Sequence, residues 1–228
     1  MGVYALASAL SFMHATAGML HGGIGIDSVF VTPGLELRLG GLAFATPLTD
    51  PSELGGTMQR ASAAGFLPSL APFRAPEVLR AEWRSVGTPA DVFALGGIIG
   101  CIFADLASEV ASSDTLLSGE VVRALPPALA KVHRAMLSDA PAARPTVAQL
   151  AALPVFGSDP FVSLSLALDE LAVQDDRAKA RILARLDAAV ETLPLAFCKY
   201  KAAPALAQSI EFGEPSAAVL APLVKIGG

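Results

Sequence analysis

Charge is scarce in this chain: only 16% of its 228 residues are Asp, Glu, Lys or Arg. The 21 acidic residues outnumber the 16 basic ones, leaving a formal net charge of -5 and no basic surface for a phosphate backbone. Nucleic acid is therefore not an expected partner. Aromatic residues make up 6% and hydrophobic residues 53%, with alanine supplying much of the apolar content. That balance favours packed helices over a sheet-rich sandwich. Cysteine occurs twice, at Cys101 and Cys198, too far apart for metal-ligand spacing and too few for a disulfide framework. A reducing compartment is the expectation. Long apolar runs are missing as well. The stretch from Val92 to Ala104 lies between Asp91 and Asp105 and falls short of the ~18 residues a spanning helix needs. No transmembrane segment is expected. Ala15-Thr16-Ala17 resembles a cleavage site, but no Lys or Arg precedes Arg38, so the basic start of a secretory signal is lacking.

What the sequence does contain is helical periodicity. Leu6, Leu10 and Met13 mark a helix with one buried face over about Val3 to Ala17, and Gly18 follows as its stop. Val29 to Val31, a Pro33-Gly34 turn, and Leu35, Leu37 and Leu39 alternating with Glu36 and Arg38 predict a small β-hairpin. Thr46 to Pro72 is rich in Ser, Gly, Pro and Ala without a period and reads as a long loop with no core. A short helix over Ala75 to Arg80 and a long buried one from Pro89 to Leu106 follow, the latter carrying Gly96, Gly97 and Gly100 where neighbours must pack close. After a loose stretch come helices over Pro127 to Leu137 and Val147 to Leu153. From Asp159 the pattern is helix after helix: Phe161 to Val173, Asp176 to Thr192, Lys201 to Phe212 and Pro215 to Ile226. That texture resembles the start of an α-solenoid.

Several enzyme motifs are absent. His21-Gly22-Gly23 could begin an esterase oxyanion loop, yet the chain has no Gly-x-Ser-x-Gly elbow. Gly23-Ile24-Gly25 begins a dinucleotide fingerprint without its third glycine, and no phosphate loop of the Gly-Lys-Ser/Thr type occurs. His14, His21 and His133 have no Asp, Glu or Cys at ligand spacing. Neither a metal nor a cofactor is expected.

Five segments in order carry a resemblance: "LSFMHATAGMLHGGIGIDSVFV", "LELRLGGLAFA", "PFRAPEVLR", "ADVFALGGIIGCIFADL" and "MLSDAPAARPTVAQL". Together they resemble the C-terminal lobe of a eukaryotic protein kinase. Phe73-Arg74-Ala75-Pro76-Glu77 is similar to the motif that closes the activation segment, and Asp91, Gly96 and Arg144 complete the frame. The resemblance implies structural roles for His21, Glu77, Asp91 and Arg144. Glu77 and Arg144 would form an ion pair, and Asp91 would hold the catalytic-loop backbone through its carboxylate.

The same resemblance leaves the chemical positions empty. His21-Gly22-Gly23 stands where a kinase has His-Arg-Asp, so the base that orients the acceptor hydroxyl is missing at Gly23. Gly22 replaces the arginine that would recognise a phosphorylated activation loop. Ser28 stands for the metal-binding asparagine, and Gly41-Leu42-Ala43 for Asp-Phe-Gly. Losing the base alone costs on the order of 10²- to 10⁴-fold in rate. The matched region starts at the helix before the catalytic loop, so the Gly-rich loop, strand lysine and partner glutamate of an N-lobe lie outside it.

Degenerate motifs followed by helices resemble the Scy-like (N-terminal kinase-like) pseudokinases. Glu36 to Gly41, Leu153 to Phe156, "LDAAVETLPLAFCKYKAAPALAQSIEFG" and "AAVLAPLVKIG" carry this likeness. It implies a mainly α fold: a kinase-like C-terminal lobe with a small β-hairpin over 1–157, then α-solenoid (HEAT-like) helices over 158–228. It also implies an inactive scaffold without cofactors, an adaptor in Golgi and endoplasmic-reticulum vesicle traffic. Such a protein would be cytoplasmic and peripheral at the Golgi, with protein partners such as vesicle-coat components on its C-terminal helices. The alternative reading is a fragment of a Ser/Thr kinase with ATP binding and phosphotransfer activity. Leu220, Leu223, Val224 and Ile226 are expected to form an exposed apolar face open to self-association.

Overall fold

The computed structural model describes residues 1–49, 56, 59, 72–106, 113–211 and 217–227. It is mainly helical, and it divides into two compact units: residues 3–30 with 37–153, and residues 1–2, 31–36 and 154–228. Among the described residues, no single helix is long and apolar enough to cross a membrane.

The first unit opens with α1 (Gly2–Ala15), which buries Val3, Leu6, Ala7 and Leu10 at helical spacing. Gly18 turns the chain with φ +63, a conformation glycine adopts without the Cβ penalty. Next, β1 (Met19–Leu20) pairs antiparallel with β4 (Thr46–Pro47), Met19 opposite Pro47 and Leu20 opposite Thr46. Between them run a 3₁₀ turn (Ile26–Ser28), the paired strands β2 (Val29–Val31) and β3 (Leu37–Leu39), and a second 3₁₀ turn (Leu42–Phe44). The expected coreless loop from Thr46 to Pro72 is thus corrected at its start. Thr46 is buried and its hydroxyl donates to the Phe44 carbonyl at 3.0 Å. The rest of that loop, apart from Pro47, Leu48, Thr49 and Pro72, lies almost wholly outside the described residues.

After α2 (Pro76–Leu79), the long α3 (Thr88–Ala104) is buried without a break from Ala90 to Cys101. An apolar helix with no polar face needs neighbours on every side, and the glycines admit them. A Cβ on Gly96 would meet Met136 and Leu137 at 3.1 Å, one on Gly97 would meet Phe73 and Leu116 at 2.7 and 2.9 Å, and one on Gly100 would meet His133 and Val121 at 3.2 Å. Leu116 belongs to α4 (Ser113–Leu116), Val121 to α5 (Gly119–Ala124), and His133 and Met136 to α6 (Pro127–Met136). The stretch read as loose before Pro127 therefore contains two short helices, stabilised by burial of Leu116 and Val121 rather than by a visible period. The unit's last helix, α7 (Val147–Ala151), starts with a capping box in which Thr146 and Gln149 satisfy each other's backbone amides.

In the second unit, α8 (Pro154–Ser158) leads to α9 (Pro160–Asp169) and α10 (Asp176–Ala189). Asp159 and Asp175 cap the latter two by accepting the amides of Val162 and Ala178 at 2.8 and 2.7 Å, each cap stabilising by about 1 kcal/mol. The expected helix over Phe161 to Val173 breaks at Asp169, and Leu171–Val173 is a 3₁₀ turn. The expected Lys201 start is also late by several residues: α11 (Leu195–Phe197) runs through a π turn (Cys198–Ala202) into α12 (Ala203–Glu211). Finally α13 (Ala217–Gly227) packs against α10 and α12. Leu164, Leu186, Phe197, Leu206 and Val219 are among the buried core residues, with Phe161 edge-on to Phe197 at 4.8 Å. Leu223 and Ile226 lie half-buried against that core, so only Leu220 and Val224 of the expected apolar face are exposed, Val224 at 71%. The hairpin tip, residues 31–36, belongs to this unit, with Gly34 against Tyr200 and Glu36 ion-paired to Lys201, which also holds Asp169.

Two outcomes follow. Gly97→Ala should lower stability, because overpacking costs about 1–3 kcal/mol against at most about 1 kcal/mol of helix propensity gained. Gly157→Ala, in α8 with nothing within 4 Å of the new Cβ, should raise it; urea midpoints of both variants check this. His133 is buried with neither ring nitrogen hydrogen-bonded among the described residues, and burial lowers its pKa from 6.5. Below 6.5 the unfolded chain then binds the extra proton more readily than the folded one, so stability should fall as pH drops through that point. Denaturation from pH 7.5 to 5 checks the slope, which His133→Leu should flatten.

Candidate functional site

The site is built around one carboxylate. Asp91 lies in the first turn of α3 and is 2% exposed. Its Oδ2 accepts the His21 amide at 2.7 Å, and its Oδ1 accepts the Gly22 amide at 2.9 Å. His14 Nε2, from the last turn of α1, sits 2.9 Å from Oδ2. A buried carboxylate is tolerated only when its lone pairs are taken, and these three contacts, 69 to 77 residues away in sequence, do so. No spacing rule points from His14 to Asp91, so this partner escaped the sequence reading.

The turn held by Asp91 is organised further by His21. The Gly23 amide donates to His21 Nδ1 at 3.2 Å, which requires a lone pair there. Nε2 accordingly carries the proton and donates to the Gly40 carbonyl at 2.8 Å. His21 therefore ties the Gly22-Gly23 backbone to the Gly40-Gly41 backbone, and the Gly40 amide donates to the Ser28 carbonyl at 2.8 Å. Gly22 takes φ +70 and Gly41 φ +75. Ser28 is buried, and its hydroxyl both donates to the Gly25 carbonyl at 2.8 Å and accepts the Gly25 amide at 3.0 Å. Its oxygen thus closes a local turn. The structure brings Gly22, Gly23, Ser28 and Gly41 into one cluster of backbone whose side chains supply no carboxylate. Asp27, the nearest carboxylate in sequence, is exposed on the 3₁₀ turn. Among the described residues, no group of three or more His, Cys, Asp or Glu could hold a metal ion.

Below the turn lies a second buried charge. Arg144 Nη1 and Nη2 donate to Glu77 Oε1 and Oε2 at 2.7 and 2.8 Å, a bidentate pair with both side chains almost wholly buried. The remaining donors reach carbonyls: Nε that of Ser138 at 2.8 Å, Nη1 that of Pro89 at 2.9 Å, and Nη2 that of Asp139 at 3.4 Å. The guanidinium also lies 5.1 Å from the Phe93 ring centroid, a cation–π distance. All five donors are matched. Through Pro89 this pair grips the start of the same helix that carries Asp91.

Compared with known proteins, the chain is similar to the "Probable inactive serine/threonine-protein kinase scy1" of Dictyostelium discoideum, at 23% identity over 221 residues. The likeness supports a Scy-like pseudokinase relationship. The match takes in 96% of this chain and 26% of the relative, so the chain spans about a quarter of the length of the protein it matches. No protein-family model matches the chain.

Glu77→Gln should lower stability by about 3–5 kcal/mol, because it leaves the buried Arg144 charge without its counter-charge. Asp139→Asn, at the exposed Arg80–Asp139 pair, should leave the urea midpoint nearly unchanged.

Proposed function

We propose that this chain is a catalytically inactive, protein-kinase-like scaffold. The observation that carries the reading is a contrast within one site. The buried contacts of Asp91 and of Glu77 with Arg144 are complete, while Gly22, Gly23, Gly41 and the self-occupied Ser28 offer no general base and no metal-binding carboxylate. Phosphoryl transfer is almost entirely positioning and charge stabilisation, so a centre without those groups has little left to catalyse with. The relative's own name describes an inactive kinase, which agrees with this reading.

On this proposal the residues over 1–157 form a kinase-like lobe, and the helices over 158–228 begin a HEAT-like solenoid that docks proteins. Packing of α10 against both α9 and α13 supports a stacked arrangement. An adaptor role in vesicle traffic between Golgi and endoplasmic reticulum, with vesicle-coat components as partners and a peripheral Golgi location, rests on the family likeness.

The test is a thermal shift with and without Mg-ATP at ~1 mM, since a ligand bound by the native state alone must raise stability. No change in Tm is expected. A magnesium-dependent rise of several degrees would overturn the reading and favour the kinase-fragment alternative.

A further inference from the structure

The vacated centre is not vacant. A Cβ added to Gly23 would lie 2.8 Å from Phe44 Cδ2, and one added to Gly22 would lie 2.9 Å from the Phe44 carbonyl oxygen. Real Cβ atoms essentially never come closer than 3.0 Å to such neighbours. A Cβ on Gly41 would meet Ser28 Cβ at 3.1 Å, and one on Gly40 would meet the Phe30 ring at 2.7 Å. Phe44 is the element common to the two catalytic-loop positions, with its ring against Gly23 and its backbone against Gly22. Its place is fixed from both sides. The 3₁₀ turn that ends at Phe44 starts from Gly41 in the left-handed region, and the Phe44 carbonyl accepts the hydroxyl of Thr46, which is paired with Leu20 just before His21.

The geometry points to Phe44 as the residue that closes the former catalytic centre: its ring fills the volume where a side chain at position 23 would begin, and its carbonyl blocks the same at position 22. This inference rests on the inactive-scaffold reading and gives it a physical cause beyond missing carboxylates. A half-buried ring laid over bare glycine backbone keeps water from that surface and takes the place a base or a metal-bound group would need. Two different reasons then require glycine at neighbouring positions. Gly22 has φ +70 and meets backbone, whereas Gly23 has no positive φ and meets only a side-chain ring at short range. Restoring aspartate at 23 and 41 would consequently not restore a centre while Phe44 remains.

The two reasons separate by experiment. Gly23→Ala and Gly22→Ala are each made in the 228-residue chain, with Phe44 and with Phe44→Ala, and unfolding is followed in urea. Beside Phe44, Gly23→Ala should lower the folding equilibrium constant about tenfold or more. With Phe44→Ala the same change should cost no more than about twofold. Gly22→Ala should cost the same in both backgrounds, because truncating the ring moves neither the Phe44 carbonyl nor the Gly22 φ. Should Phe44→Ala fail to fold, Phe44→Val, which ends before the δ carbon, takes its place. An equal cost of Gly23→Ala in both backgrounds overturns the assignment. A Mg-ATP response of the unaltered chain would instead overturn the inactive reading and leave this cycle untouched, so the two failures are distinguishable.

Discussion

A charged carboxylate with 2% exposure is the constraint around which the first unit is arranged. Asp91 must keep every strong acceptor position occupied, and it does so by drawing in the end of α1 through His14 and the turn after β1 through two consecutive amides. The N-terminal end of α3, where the helix dipole is positive, favours that negative charge. Two residues earlier in the same helix, the Pro89 carbonyl is held by Arg144. One helix start thus fixes the loop above it and the Glu77 segment below it, and the glycine-lined flank of α3 sets how near its other neighbours come. Disturbing Asp91 would release His14 and both backbone amides at once, whereas disturbing any one of these partners leaves the other two in place.

Buried charged groups that hold a fold together and groups that do chemistry answer to different physics. A buried guanidinium or carboxylate cannot lose its partner cheaply, because an unpaired charge in a low dielectric is strongly destabilising. A catalytic base or a metal carboxylate is held at some cost to stability and can be lost without unfolding the protein. On the inactive-scaffold proposal, glycine at positions 22, 23 and 41 beside the buried Glu77–Arg144 pair is the pattern that this difference would produce.

How legible this was depended on whether the cause of an element is local. The long α3 was readable from its apolar run between two aspartates, whereas the caps that start α9 and α10, Asp159 and Asp175, were seen only in the structure. Strands β1 and β4 are two residues each, too short to show an alternation, and exist because the segments meet in space. The helices α4 and α5 stand on the burial of Leu116 and Val121 against α3 glycines, which no local period reports. The π turn at Cys198–Ala202 carries no residue that calls for one. Within the site, Glu77, Asp91 and Arg144 were legible only through the resemblance of the motifs that carry them to a kinase C-terminal lobe. His14 and Phe44 were not legible, since an ordinary histidine at a helix end and an ordinary phenylalanine in a short turn acquire their roles only from what the fold sets beside them.

The hairpin tip has a consequence for the order of events during synthesis. Residues 31–36 belong to the second unit although they emerge early, and the lysine that pairs with Glu36 lies 165 residues further along the chain. At roughly 5–20 residues per second, the ribosome needs roughly 10–30 s to supply it. For that interval Gly34 is without Tyr200 and Glu36 without Lys201. No single cleavage of the polypeptide separates the two units, because the backbone passes between them on both sides of this tip.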